Sequence, residues 1–161
     1  MKKVLALVLS CVMLFSLTAC GVSTNGGSSD GEDEQLQNFY DKVKESQELL
    51  DAVADDIYGN WYDCIYKDKF YESIDIAIAS ALSDHKEDID RIEALDVEIA
   101  NAFKAVKEGP QSELVKDVMA AYSDYYEFVI NVSGSFQTFK ESKESLKKEL
   151  ASLLRDLSYE L

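Results

Sequence analysis

Few side chains in this sequence can carry covalent, proton-transfer or metal chemistry, and their spacing narrows the possibilities quickly. The thiols are Cys11, Cys20 and Cys64, and the single histidine, His85, stands in SDHKEDID with Asp84, Glu87, Asp88 and Asp90 around it. Zinc and di-iron bundle sites need a second histidine, a Glu-x-x-His arrangement or a Cys-x-x-Cys pair, and the sequence has none of these. Calcium is a poor fit as well, because carboxylates on a helix do not converge without a loop. The cluster reads as a solvated acidic face. No Gly-x-Ser-x-Gly elbow and no glycine-rich phosphate loop occurs. Any triad has only His85 to use, and carboxylate pairs such as Asp55-Asp56 arise by chance in so acidic a chain. The expectation is a protein that is not an enzyme, with no cofactor and no metal.

Cys20 has a setting of its own. Lys2 and Lys3 precede an apolar run from Val4 to Leu17, shorter than the ~20 residues a membrane-spanning helix needs and suited to a signal peptide. Leu17-Thr18-Ala19-Cys20 follows, and then GVSTNGGSSD. The order of basic start, apolar run, small residue, cysteine and polar stretch resembles the lipobox of bacterial lipoproteins. That resemblance implies a diacylglyceryl group on the Cys20 thiol and cleavage just before it. Two acyl chains give stable anchoring, at about 0.8 kcal/mol per buried methylene. The implied division is 1–19 signal peptide, 20–32 lipidated cysteine and flexible tether, and 33–161 folded domain. A tether of about 12 Gly- and Ser-rich residues reaches roughly 20 Å. It keeps the body near the extracytoplasmic face of the cell membrane.

The charge of the remainder bounds its partners. The chain carries 16 basic and 31 acidic side chains, and removal of Lys2 and Lys3 leaves 14 against 31, a net charge of −17. Such a body repels nucleic acid and anionic headgroups. Cys64 is left without a partner thiol and reads as a small buried hydrophobe.

The elements that position these residues are helical. Proline occurs once, at Pro110, strand-like alternation is absent, and apolar residues recur at spacings of three and four. One stripe runs Leu36, Tyr40, Val43, Gln47, Leu50, Ala54, Ile57, Trp61, Cys64. A second runs from Tyr71 and Ile74 through His85 to Val106, and a third from Val115 through Phe136 and Lys143 to Leu157. The pattern predicts helices over 33–66, 69–108 and 111–158: an all-α, elongated, antiparallel up-down-up three-helix bundle with coiled-coil-like heptads. YKDK at 66–69 marks the first turn, in preference to Gly59-Asn60. EGPQS at 108–112 marks the second, with Gly109 left-handed and Pro110 opening the next helix. Gly134 interrupts the third pattern. Gln47, His85 and Lys143 stand on core positions, with Gln47 level with His85 and Lys143 level with Trp61, where a cation–π contact is possible.

The body resembles helical lipoproteins of unassigned function from Gram-positive gut bacteria, in NWYDCIYKDKF, in the Gly-Pro turn and in YSDYYEFV and SGSFQTF. The resemblance brings no catalytic residues. It leaves a membrane-anchored binding or scaffold module of the cell envelope, with an envelope or extracellular protein or glycan as partner. Alternatives are a protective lipoprotein that blocks a phage or toxin component and, last, an envelope hydrolase. Aromatic residues gather at the end far from the tether. There Tyr62, Tyr66 and Phe70 fall off the core stripe and are the candidate partner-binding residues, unless the end of the third helix, at Leu153, Leu154, Leu157 and Tyr159, covers them.

Overall fold

The computed structural model describes residues 29–67 and 73–161. Cys20, the expected signal segment 1–19, Phe70 and Tyr71 lie outside the described residues. The protein is all-helical: α1 (Ser29–Tyr66), α2 (Ile74–Asp84), α3 (Lys86–Val106), α4 (Ser112–Ile130) and α5 (Phe136–Leu157), with no strand among the described residues. None of these helices is long and apolar enough to cross a membrane.

The first helix organises the rest. It begins at Ser29, inside the expected tether, and passes through Gly59-Asn60 without a break. Its predicted stripe is buried at Leu36, Val43, Leu50, Ala54, Ile57 and Trp61, and a second stripe at Phe39, Ser46 and Val53 is buried beside it. One stripe serves one neighbour; α1 packs against all four other helices and needs more than one.

Cross-helix bonds give the directions. Lys42 pairs with Glu98 and Glu45 with Arg91, while the Asn60 amide donates to the Ala77 carbonyl, so α2 and α3 run antiparallel to α1. Ser46 and Tyr125 Oη reach Tyr122 and Asp51 respectively, so α4 runs parallel to it. Lys143 pairs with Asp55 and Lys147 with Asp51, so α5 comes back antiparallel. The chain therefore makes four passes, with α2 and α3 sharing the second.

Three unbroken helices are thus corrected in two places. The second is interrupted at His85 (φ −101°, ψ 23°), after which Glu87 and Asp88 occupy the first turn of α3, where carboxylates favour the positive end of a helix. The third breaks over 131–135. Gly134 takes φ +91°, a conformation natural to glycine, and Ser135 then caps α5. The Ser135 hydroxyl accepts from Thr138 N–H at 3.2 Å and the Thr138 hydroxyl accepts from Ser135 N–H at 2.9 Å, a reciprocal capping box.

Four smaller expectations also change. Gly109 is not left-handed, and Pro110 lies before the Gln111 N-cap rather than inside the helix. Short turns do the work there, with Gly109 N–H on the Val106 carbonyl and Ser112 N–H on the Gly109 carbonyl. Ile74 is exposed and Ala77, off the expected stripe, is buried beside Ala81, which the stripe did place inside. Cys64 is free and half-buried rather than buried. His85 is not level with Gln47: it sits 2.7 Å from Asp88 and 3.8 Å from Asp56, farther along α1.

Candidate functional site

The fold-back of α5 builds the end of the molecule where α1 finishes. Phe136, the first residue of α5, lands among the aromatic side chains of the last turns of α1. Its ring stacks on Tyr58 at 5.2 Å between centroids and lies 5.9 Å from Trp61, 6.2 Å from Tyr62 and 6.0 Å from Tyr66. Phe139 continues the cluster inward, 5.5 Å from Trp61 and 4.8 Å from Phe128 on α4. These separations suit offset and edge contacts between rings.

Burial grades outward along this cluster. Trp61 and Phe139 are inside, Tyr58 and Phe136 are half-buried, and Tyr62 and Tyr66 are 37% and 62% exposed. The two tyrosines pair at 4.8 Å. Lys67 stands over the Tyr62 ring at 5.5 Å and pairs with Asp63 at 2.7 Å, which holds its ammonium above the usual lysine range. Of the three candidate residues, the structure brings Tyr62 and Tyr66 together at the surface; Phe70 lies outside the described residues.

The expected cover is absent from this end. Leu154 lies at the other end of α1, around a cavity with Tyr40, Lys44 and Gln47, because α5 descends where a continuous third helix would have risen. Phe136 contacts the tyrosines instead. The signal for it was readable: a glycine able to take positive φ followed by Ser-x-x-Thr marks a new helix start.

Beside the cluster lies an open groove of about 500 Å³, bordered by Ile74, Asp75 and Ile78 of α2, by Val132, Ser133 and Gly134 of the α4–α5 loop, and by Trp61. Among the described residues α2 packs only on α1 and α3 and not on α4, which leaves the groove between them. The sequence stripe hid it by assigning Ile74 and Ile78 to the core.

Deeper in the bundle a polar seam joins α1 to α4 and α5. Lys143 is buried, 2.5 Å from Asp55 and 3.5 Å from Glu144, and its ammonium stands 4.8 Å from the centre of the Tyr58 ring. The cation–π partner is thus Tyr58 rather than Trp61, since α5 runs down beside α1. Tyr125 donates to Asp51 at 2.7 Å, and Lys147 reaches the same carboxylate at 3.1 Å. Burial, then the bond to Asp51, pushes the Tyr125 phenol far up, and burial does the same for Tyr122. Lys143 and Lys147 of α5 each pair with a carboxylate of α1, which suits alignment of helices.

No protein-family model matches the chain, and no curated protein or solved structure matches it.

Proposed function

We propose that the chain is a lipid-anchored protein of the extracytoplasmic face of the cell membrane, held through Cys20. Its helical body works as a non-enzymatic binding or scaffold module for an envelope or extracellular partner. The anchor rests on the order of residues around Leu17-Thr18-Ala19-Cys20. Cys20→Ser is expected to leave the chain unprocessed or to release it from the membrane fraction, and intact-mass analysis of the wild type checks it directly. An unmodified mature Cys20 overturns the anchor.

The observation that carries the binding reading is the exposed Tyr62–Tyr66 pair backed by Phe136. It stands at the end of α1 opposite the tether, the end a membrane-held bundle presents outward. Large aromatic side chains on a rigid support cost little ordering entropy and commonly dominate binding energy. A photo-crosslinking residue at position 66, on intact cells, is expected to give a discrete adduct that the same residue at exposed Val97 does not. Tyr62→Ser with Tyr66→Ser is expected to abolish partner capture with the helical circular dichroism intact. Equal adducts from both positions, or capture that survives the double substitution, moves the site away from this tip.

A further inference from the structure

The groove beside the aromatic tip has features that the tyrosine pair does not explain. Helix α2, IDIAIASALSD, is apolar around much of its circumference, yet among the described residues α1 and α3 are its only helical neighbours. A helix of that composition is normally covered on more sides. Ile74 and Ile76 are left 39% and 45% exposed. Large exposed apolar side chains concentrate at this end: Tyr62, Ile65, Tyr66, Ile74 and Ile76, against Val97, Tyr159 and Leu161 elsewhere. A concentration of that kind marks an interaction surface more than a scatter does.

Trp61 adds an independent observation. It is 4% exposed, it borders the groove, and its indole Nε1–H is the one buried side-chain polar atom among the described residues without a hydrogen-bond partner. Buried donors are nearly always satisfied. An extended polypeptide brings a carbonyl with every residue, to a region where a donor lacks one.

Charge selects among occupants. Among the described residues, the groove's border contains Asp75 and no basic side chain. The chain as a whole has a net charge of −15, so its field draws basic segments in and opposes acidic ones, anionic lipid and a second copy of itself. We propose that the groove between α2 and the 131–135 loop docks a basic, extended protein segment, which seats one aliphatic or aromatic side chain against Trp61. This rests on the outward-facing tip of the proposed function and names the partner class of that end.

Trp61 is the only tryptophan of the chain, so tryptophan emission reports on the surroundings of this one side chain, the groove it borders and the Phe136 and Phe139 rings beside it. The probe is a hexapeptide with Phe-Leu between two pairs of lysines. Its controls are the same peptide with glutamates for lysines, and one with Ser-Ser for Phe-Leu. Added to the full chain, the first is expected to change Trp61 emission saturably and the controls are not. Ile74→Gln with Val132→Gln is expected to weaken binding at least tenfold, and Val97→Gln to leave it unchanged; calorimetry repeats the comparison without the fluorophore. Four results each overturn the proposal. They are an equal response to the acidic peptide, no saturable response, affinity unchanged by the paired groove substitutions, and self-association in sedimentation equilibrium that those substitutions abolish. An emission change in Phe70→Ala without peptide also overturns it, by assigning the groove to the chain's own 68–72 segment. Cellular capture separates the two readings: loss with Tyr62→Ser/Tyr66→Ser but not with the groove pair keeps the tip and removes the groove, and loss with neither removes both.

Discussion

The two sides of α1 are held by the same chemistry in different solvent. Toward α3, Lys42 meets Glu98 and Arg91 meets Glu45 and Glu98, all within 3.1 Å and all on side chains reached by water. Toward α5 and α4, Asp55 meets Lys143 of α5 and Asp51 meets both Lys147 of α5 and Tyr125 of α4, with Lys143 and Tyr125 buried. Exposed pairs gain little over their separate hydration and are screened by salt, whereas a buried charge that loses its partner has no water to fall back on. Ion-pair count alone would rank the two sides alike; burial assigns the α5 side the larger role in alignment.

The largest effect is expected at Asp55. Asp55→Ala leaves Lys143 buried with only the more distant Glu144 and the Tyr58 ring, and urea denaturation is expected to show a loss of about 2 kcal/mol. That is below the 3–5 kcal/mol of a fully buried pair, since Asp55 is 56% exposed. Adding Lys143→Met should restore most of it, because an apolar side chain of similar length fills the same space without a charge. If the double variant is as unstable as Asp55→Ala, the cost came from something other than the stranded ammonium.

Gly134→Ala tests whether the fold-back that creates this side is under local control. The added Cβ meets the Thr138 hydroxyl at 2.8 Å, and the backbone keeps φ +91°. A loss of about 1–2 kcal/mol is expected, from positive φ and a disturbed capping box together. An unchanged midpoint would mean the loop relaxes freely.

Tyr125→Phe removes one bond to Asp51 and is expected to cost about 1 kcal/mol. It also tests the pH dependence. Burial raises Tyr125 and Tyr122 above the ordinary value of about 10 in the folded protein. The unfolded chain therefore gives up these protons first. Stability from this source is complete below about pH 10 and falls as pH rises beyond it, so alkaline denaturation should be shallower in Tyr125→Phe. On the α3 side, Arg91→Ala should move the unfolding midpoint least, and the difference should vanish in molar salt. A salt-resistant loss there would erase the contrast between the two sides.

Much of the helical content was legible in the sequence because burial repeats with the helical period. The α1 stripe from Leu36 to Trp61 and the α4 positions Val115, Val118, Tyr122, Tyr125 and Val129 are all apart from solvent except half-buried Tyr40. The breaks were less legible. A stripe continues through a tight loop whenever the residues on either side still face a core, and Val132 and Phe136 kept the period across Asn131–Ser135 while the chain reversed. The same blindness hid the groove: Ile74 and Ile78 have core spacing, but spacing does not say whether a neighbour is present to cover them.

By itself, then, the sequence determined that the described chain is helical, where α1 and α4 bury their faces, and that its surface is acidic, because these follow from residue type and from a period internal to each helix. Only the tertiary structure decided that α5 turns back beside α1. That placed Lys143 against Asp55 and Tyr58, carried Leu154 away from the aromatic tip, and put Phe136 beneath Tyr62 and Tyr66. The reason is geometric: the path after Ile130 depends on one glycine at positive φ and on which neighbour offers the larger buried surface, and neither is carried by local periodicity.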